Sequence, residues 1–222
     1  MTALAIAYLV ILTAVDITWS PKYLASIRAR VAANDPTSRR SMYRMFIAFD
    51  WIGAALALAI LVGGGLSSRA IGLTPPSGEW LEAHAGLLGG AAMGVIAGGV
   101  VMLLRPTKTK LVGDIDVLVP RTTEERGWFA LLAITAGITE EVMYRALPII
   151  VLTALLPSPW WAVGISAVVF GVAHFYQGVA GVIATAIMGA VFGALYVLGH
   201  SLLPVMILHA MIDLRLLAIR RS

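Results

Sequence analysis

The chain has 222 residues, of which 59% are hydrophobic and 13% charged, with a net charge of +4 and no cysteine. A soluble domain carries roughly 25% charged residues, so this composition excludes an ordinary soluble enzyme and points to an integral membrane protein. The missing cysteine excludes thiolate metal sites and a cysteine nucleophile. The small positive charge, gathered in loops, speaks to membrane orientation and not to nucleic acid.

Seven apolar segments follow in chain order: 2–19, 46–66, 85–104, 128–155, 160–175, 179–198 and 201–218. A helix needs ~20 apolar residues to cross a ~30 Å hydrocarbon core, so they predict an all-α polytopic bundle of about seven transmembrane helices. Residues 1–222 are read as one integral membrane domain. The first segment has no Lys or Arg ahead of it. It therefore reads as a retained helix and not a signal peptide. The fourth segment is too long for one straight span.

Basic residues mark one side. Lys22, Arg28, Arg30, Arg39, Arg40 and Arg44 separate segments 1 and 2. Arg105, Lys108, Lys110, Arg121 and Arg126 separate segments 3 and 4, and Arg220 and Arg221 close the chain. The loop between segments 2 and 3 has one basic residue, Arg69. Seven spans with the N-terminus outside and the C-terminus cytoplasmic put every basic cluster in the cytoplasm, as expected for a cell inner (plasma) membrane protein. Gly86, Gly90, Gly94 and Gly98 on segment 3, and Gly189 and Gly193 on segment 6, predict close helix packing inside the chain.

Polar residues inside the apolar segments carry the functional signal, because charge within a bilayer is costly and usually faces an interior cavity. Glu140, Glu141 and Arg145 interrupt segment 4. Glu141 and Arg145 are i,i+4 and share a face; Glu140 lies ~100° away, on the face of Tyr144. The spacing predicts an ion pair of Glu141 with Arg145 and leaves Glu140 to act on water. Phe170 and His174 are i,i+4 at the end of segment 5, before a polar turn at Tyr176, Gln177 and Gly178. His209 and Asp213 are i,i+4 on segment 7, where ~1.5 Å per residue from Ser201 places them ~12 and ~18 Å deep. Glu and two His can activate water directly or through a metal. Asp16 and Asp50 are read as residues near span ends, and His84 and His200 as outer-loop residues. The tryptophans at 19, 51, 80, 128, 160 and 161 are read as an aromatic belt.

Three motifs in order, Glu140-Glu141-x-x-x-Arg145, Phe170-x-x-x-His174 and His209-x-x-x-Asp213, resemble the CPBP intramembrane proteases, also called CAAX proteases and bacteriocin-processing enzymes. Pro120, Glu125-Arg126 and Tyr176-Gln177-Gly178 also look like that family, and the resemblance covers roughly 120–215. Asp213 stands where Asn is more usual, and Ala146 where many members have Gly.

The resemblance implies an intramembrane endopeptidase with its catalytic cavity in the C-terminal half. Glu140 would be the general base with His174 beside it. His209 and Asp213 would hold the scissile carbonyl or complete a metal site, and Glu141 and Arg145 would orient the rest. Either mechanistic type, glutamic or metallo, is compatible with it. In the second, Zn2+ would take Glu140, His174 and His209. The implied partners are the lipid bilayer and a peptide or membrane-protein substrate, such as a prenylated C-terminus or a small peptide. An ion-coupled transporter, or an inactive immunity or scaffold protein of the same fold, are the rival readings.

Overall fold

A computed structural model describes residues 1–104 and 111–219. Arg105, Lys108, Lys110, Arg220 and Arg221 lie outside the described residues. All seven apolar segments are helical, and among the described residues there is no strand. The helices are α1 (Thr2–Thr18), α2 (Ser20–Ala32), α3 (Ser38–Gly63), the short α4 (Ser68–Ile71), α5 (Gly78–Leu104), α6 (Thr123–Glu141), α7 (Leu147–Thr153), α8 (Pro159–Ala173), α9 (Gly178–Gly199) and α10 (Leu203–Leu214).

Four stretches are long and apolar enough to cross a membrane: Thr2–Ala32, Ser38–Gly63, Gly78–Leu104 and Phe175–Gly199. The remaining segments are helical but fall short of that measure. α8 is apolar but has 15 residues, and α10 has 12, which is ~18 Å of a ~30 Å core. The chain is thus an integral membrane helix bundle in which several elements of the C-terminal half are short or interrupted.

The stretch 20–32, expected as loop, is helix α2. Its charges obscure an apolar face on which Leu24 and Ile27 are fully buried. The glycine stripe of α5 also departs from expectation. A methyl group added at Gly86, Gly90, Gly94 or Gly98 would meet nothing within 4 Å, and α5 has no buried residue. Gly189 and Gly193 do pack as expected, against Ala167 and Val163 of α8. His84 lies within α5, not in a loop, and stacks on Trp80 at 4.4 Å.

Two sets of contacts define the ends of the bundle. At one end the basic segments join. Arg28 pairs with Asp114 at 2.8 Å, Arg40 with Glu124, and the Tyr43 hydroxyl donates to the Leu118 carbonyl at 3.0 Å. Arg126 donates to the Leu217 carbonyl at 2.6 Å. At the other end, Ser201 donates to the Thr74 carbonyl at 2.7 Å and Tyr196 to that of Ile71 at 3.0 Å.

α6 begins with a capping box: the Thr122 hydroxyl accepts the Glu125 N–H, and the Glu125 carboxylate accepts those of Thr122 and Arg121. Near its other end, Gly137 lies against the backbone of Ala210 in α10. α6 then passes through a π turn, Val142–Ala146, into α7. Pro148 has no N–H for the Tyr144 carbonyl four residues back. The buried Ser166 hydroxyl of α8 donates to that carbonyl instead. The long fourth segment is therefore bent at its polar centre, with α8 bonded to the bend.

Candidate active site

The capped start of α6 and the Gly137–Ala210 approach bring Glu140 and Glu141 to α10. His209 Nδ1 donates to Glu141 Oε1 at 2.7 Å. Arg145 Nη1 lies 3.2 Å from the same oxygen, and both members of this ion pair are fully buried. The expected Glu141–Arg145 pair is present, but as an ion pair without hydrogen-bond alignment. None of the three guanidinium nitrogens has a hydrogen-bond partner among the described residues. Aromatic faces take that place. The Arg145 guanidinium lies 3.9 Å from the Phe170 ring centre and 5.5 Å from that of Phe192. A desolvated cation–π contact contributes about 2 kcal/mol.

His174 ends α8, and its Nδ1 donates to the Phe170 carbonyl at 2.8 Å. A carbonyl only accepts, so this bond fixes the proton on Nδ1 and leaves Nε2 bare in the neutral ring. His174 Nε2 is 4.0 Å from Glu140 Oε2, and His209 Nε2 is 3.8 Å from the same oxygen. That oxygen is buried and has no hydrogen-bond partner among the described residues. Asp213 Oδ2 is 3.7 Å from His209 Nε2. The rings of Phe170 and His174 meet edge-on at 4.5 Å. All six residues singled out in the sequence thus converge, from α6, the π turn, α8 and α10. The division within the first motif also appears: Glu140 and Tyr144 line a cavity of about 260 Å³ that Glu141 and Arg145 do not touch.

Three features were not read from the sequence. Glu141 bonds His209 as well as Arg145, so one carboxylate oxygen serves both. Ser166 holds the bend. Asp16 of α1 and Asp50 of α3, read as residues near span ends, are buried and line the same cavity; Asp16 accepts a hydrogen bond from the Tyr144 hydroxyl at 2.8 Å.

Residues 122–215 match the family of type II CAAX prenyl endopeptidase Rce1-like proteins. This match agrees with the CPBP/CAAX resemblance of the motifs and takes in all six site residues. No curated protein and no solved structure matches the chain. The Rce1-like segment holds Glu140, His174 and His209, which offer the oxygen and nitrogen donors zinc accepts. Two ligands on one tetrahedral zinc lie about 3.3 Å apart. The separations here are 3.8 and 4.0 Å, and among the described residues no group of three or more His, Asp or Glu is arranged to hold a metal ion. Those separations are longer than between two ligands of one tetrahedral zinc, and Glu140 with the two histidines can also act on water without a metal.

Proposed function

We propose that the protein is an intramembrane endopeptidase whose Glu140 and His174 activate one water. The observation that carries this is the buried, unpartnered Glu140 Oε2, 4.0 Å from the bare Nε2 of His174 at the wall of a cavity. That gap is too long for a direct bond. A water at ~2.8 Å from both atoms subtends an angle of about 90°, within reach of its two O–H groups. Glu140 takes one proton as the oxygen attacks the peptide carbonyl, and the proton then passes to the leaving amine. His209, as the imidazolium, donates from Nε2 to the developing oxyanion. Glu141 and Arg145 position His209 and touch no reacting atom. Asp213, as a carboxylate, cannot donate to an oxyanion. It acts here on the His209 ring.

The site would be entered from the cytoplasm. Val112, Ile115 and Arg215 line the cavity at the end where the basic segments join. By the positive-inside rule that end is cytoplasmic, with the N-terminus outside a plasma membrane. A prenylated C-terminus would also lie on that side. No observation favours a transporter.

The test is cleavage of a fluorogenic peptide by purified protein in liposomes. Glu140→Gln, His174→Ala and His209→Ala should each lower kcat/KM by at least about 10²-fold, the usual contribution of general acid–base catalysis. Each variant should retain the helical spectrum. Wild-type turnover by all three would end the proposal, whereas a folded wild type that cleaves no peptide would favour an inactive scaffold.

A further inference from the structure

We infer that Asp16 and Asp50, with the rings beside them, form a subsite for a cationic group of the substrate: a lysine or arginine side chain flanking the scissile bond. The inference rests on the peptidase reading above and extends it to the substrate.

Both aspartates come from helices outside the Rce1-like segment. They are 7% and 9% exposed, in a chain whose outer surface meets lipid. Carboxylates so placed need a partner. Asp16 has the Tyr144 hydroxyl. Asp50 has no hydrogen bond or ion pair among the described residues, and neither aspartate is paired with a cation there. Yet both line the cavity that Glu140, His174 and His209 line. The Asp50 side chain is more than nine-tenths buried and faces the cavity, and a cation placed beside a carboxylate so buried stabilises it. The surrounding wall suits one. Trp19, Phe46 and Phe49 line the same cavity, with Trp19 and Phe49 stacked at 6.4 Å. Their ring faces attract cations.

The subsite adjoins the reacting atoms. Asp16 bonds Tyr144, whose ring is 5.3 Å from Phe170, and the Phe170 ring is 4.5 Å from His174. The charge of the whole wall points the same way. Asp16, Asp50, Glu140 and Asp213 line the cavity, against Arg215 and two histidines. A substrate carboxylate is unfavourable at the Asp16–Asp50 end, which selects against a peptide whose free C-terminus would sit there.

The test uses the full-length protein in liposomes and two probes. One is a series of fluorogenic membrane-segment peptides with one lysine walked through successive positions, each matched to a norleucine peptide. At the favoured position, lysine should raise kcat/KM at least about tenfold over norleucine, the range for a buried charge-assisted hydrogen bond. Asp50→Asn and Asp16→Asn should bring that ratio towards one, and Asp50→Glu should keep it. The other probe is hexylammonium compared with hexanol in a thermal-shift assay. Hexylammonium should raise the wild-type Tm more than hexanol does, and the Asp16→Asn/Asp50→Asn protein should lose the difference. Equal shifts by both compounds, or a lysine preference unchanged by Asp50→Asn, would overturn the subsite. A hexylammonium effect that depends on the aspartates, with no peptide cleaved by folded wild type, leaves the cation site standing and removes the peptidase reading.

Discussion

Gly137→Ala tests whether the approach of α6 to α10 sets the site. A methyl group at this position would lie 2.7 Å from the Ala210 nitrogen, 2.8 Å from its Cβ and 2.9 Å from its Cα. Carbon atoms in contact prefer about 3.5–4.0 Å, so the helices must part by about 0.7–1 Å. Two of the three obstructing atoms are backbone and cannot rotate away. Overpacking costs about 1–3 kcal/mol, and alanine returns up to ~1 kcal/mol through helix propensity. The net loss of stability is therefore modest. The loss of geometry is not. Gly137 is one turn from Glu141, and Ala210 adjoins His209, whose bond to Glu141 is 2.7 Å. Parting the helices stretches that bond to about 3.4–3.7 Å, at or beyond hydrogen-bond range. A misplacement of ~1 Å costs ~10²-fold in turnover. Peptide cleavage and thermal unfolding are measured side by side. Gly127→Ala, on the same helix with nothing within 4 Å, is the control and should keep both. Adding Ala210→Gly should rescue only in part, because it removes the Cβ contact alone. Wild-type turnover by Gly137→Ala would refute the reasoning.

Arg145→Ala should destabilise the protein by about 3–5 kcal/mol, as expected when one member of a buried ion pair is removed, and Arg145→Lys should not restore it because an ammonium lacks the flat face that stacks on Phe170; an unchanged unfolding midpoint for Arg145→Ala would sink this account. Ser166→Ala should lose about 1–3 kcal/mol, since the Tyr144 carbonyl at the π turn is then buried without a donor; unchanged stability would mean the bend holds itself. Elemental analysis of fully active protein should find no stoichiometric zinc, and a chelator should leave turnover intact; one zinc per chain, with activity lost on its removal, would replace the side-chain mechanism with a metal one.

The helical character and the six converging residues were legible because both signals are local. Apolar runs mark helices, and i,i+4 spacing fixes which side chains share a face. What was misread depends on neighbours. α2 reads as a charged loop because Leu24 and Ile27 find their apolar contacts only once α3 and the 111–119 segment pack on them. The α5 glycines are evenly spaced, but spacing cannot say whether a helix will lie against them. Asp16 and Asp50 read as residues near span ends because each lies close to the end of an apolar run, although an ionisable residue within such a run is the stronger signal of an interior site. Pro148, three residues after Arg145, was the available sign of a bend within segment 4.

The enclosure of Arg145 has a consequence for how the protein is made. Its guanidinium is permanently charged, and the rings that cover it, Phe170 and Phe192, belong to helices synthesised later. Until α8 and α9 arrive, the carboxylates of Glu141 and Glu140 are the charged neighbours it has from its own segment, and lipid is a poor solvent for all three. α6 and α7 therefore cannot be released singly into the bilayer at little cost. Membrane entry and assembly of the C-terminal helices become one concerted event, and a chain truncated before α8 leaves the Arg145–Glu141 pair in the bilayer without the rings that cover it.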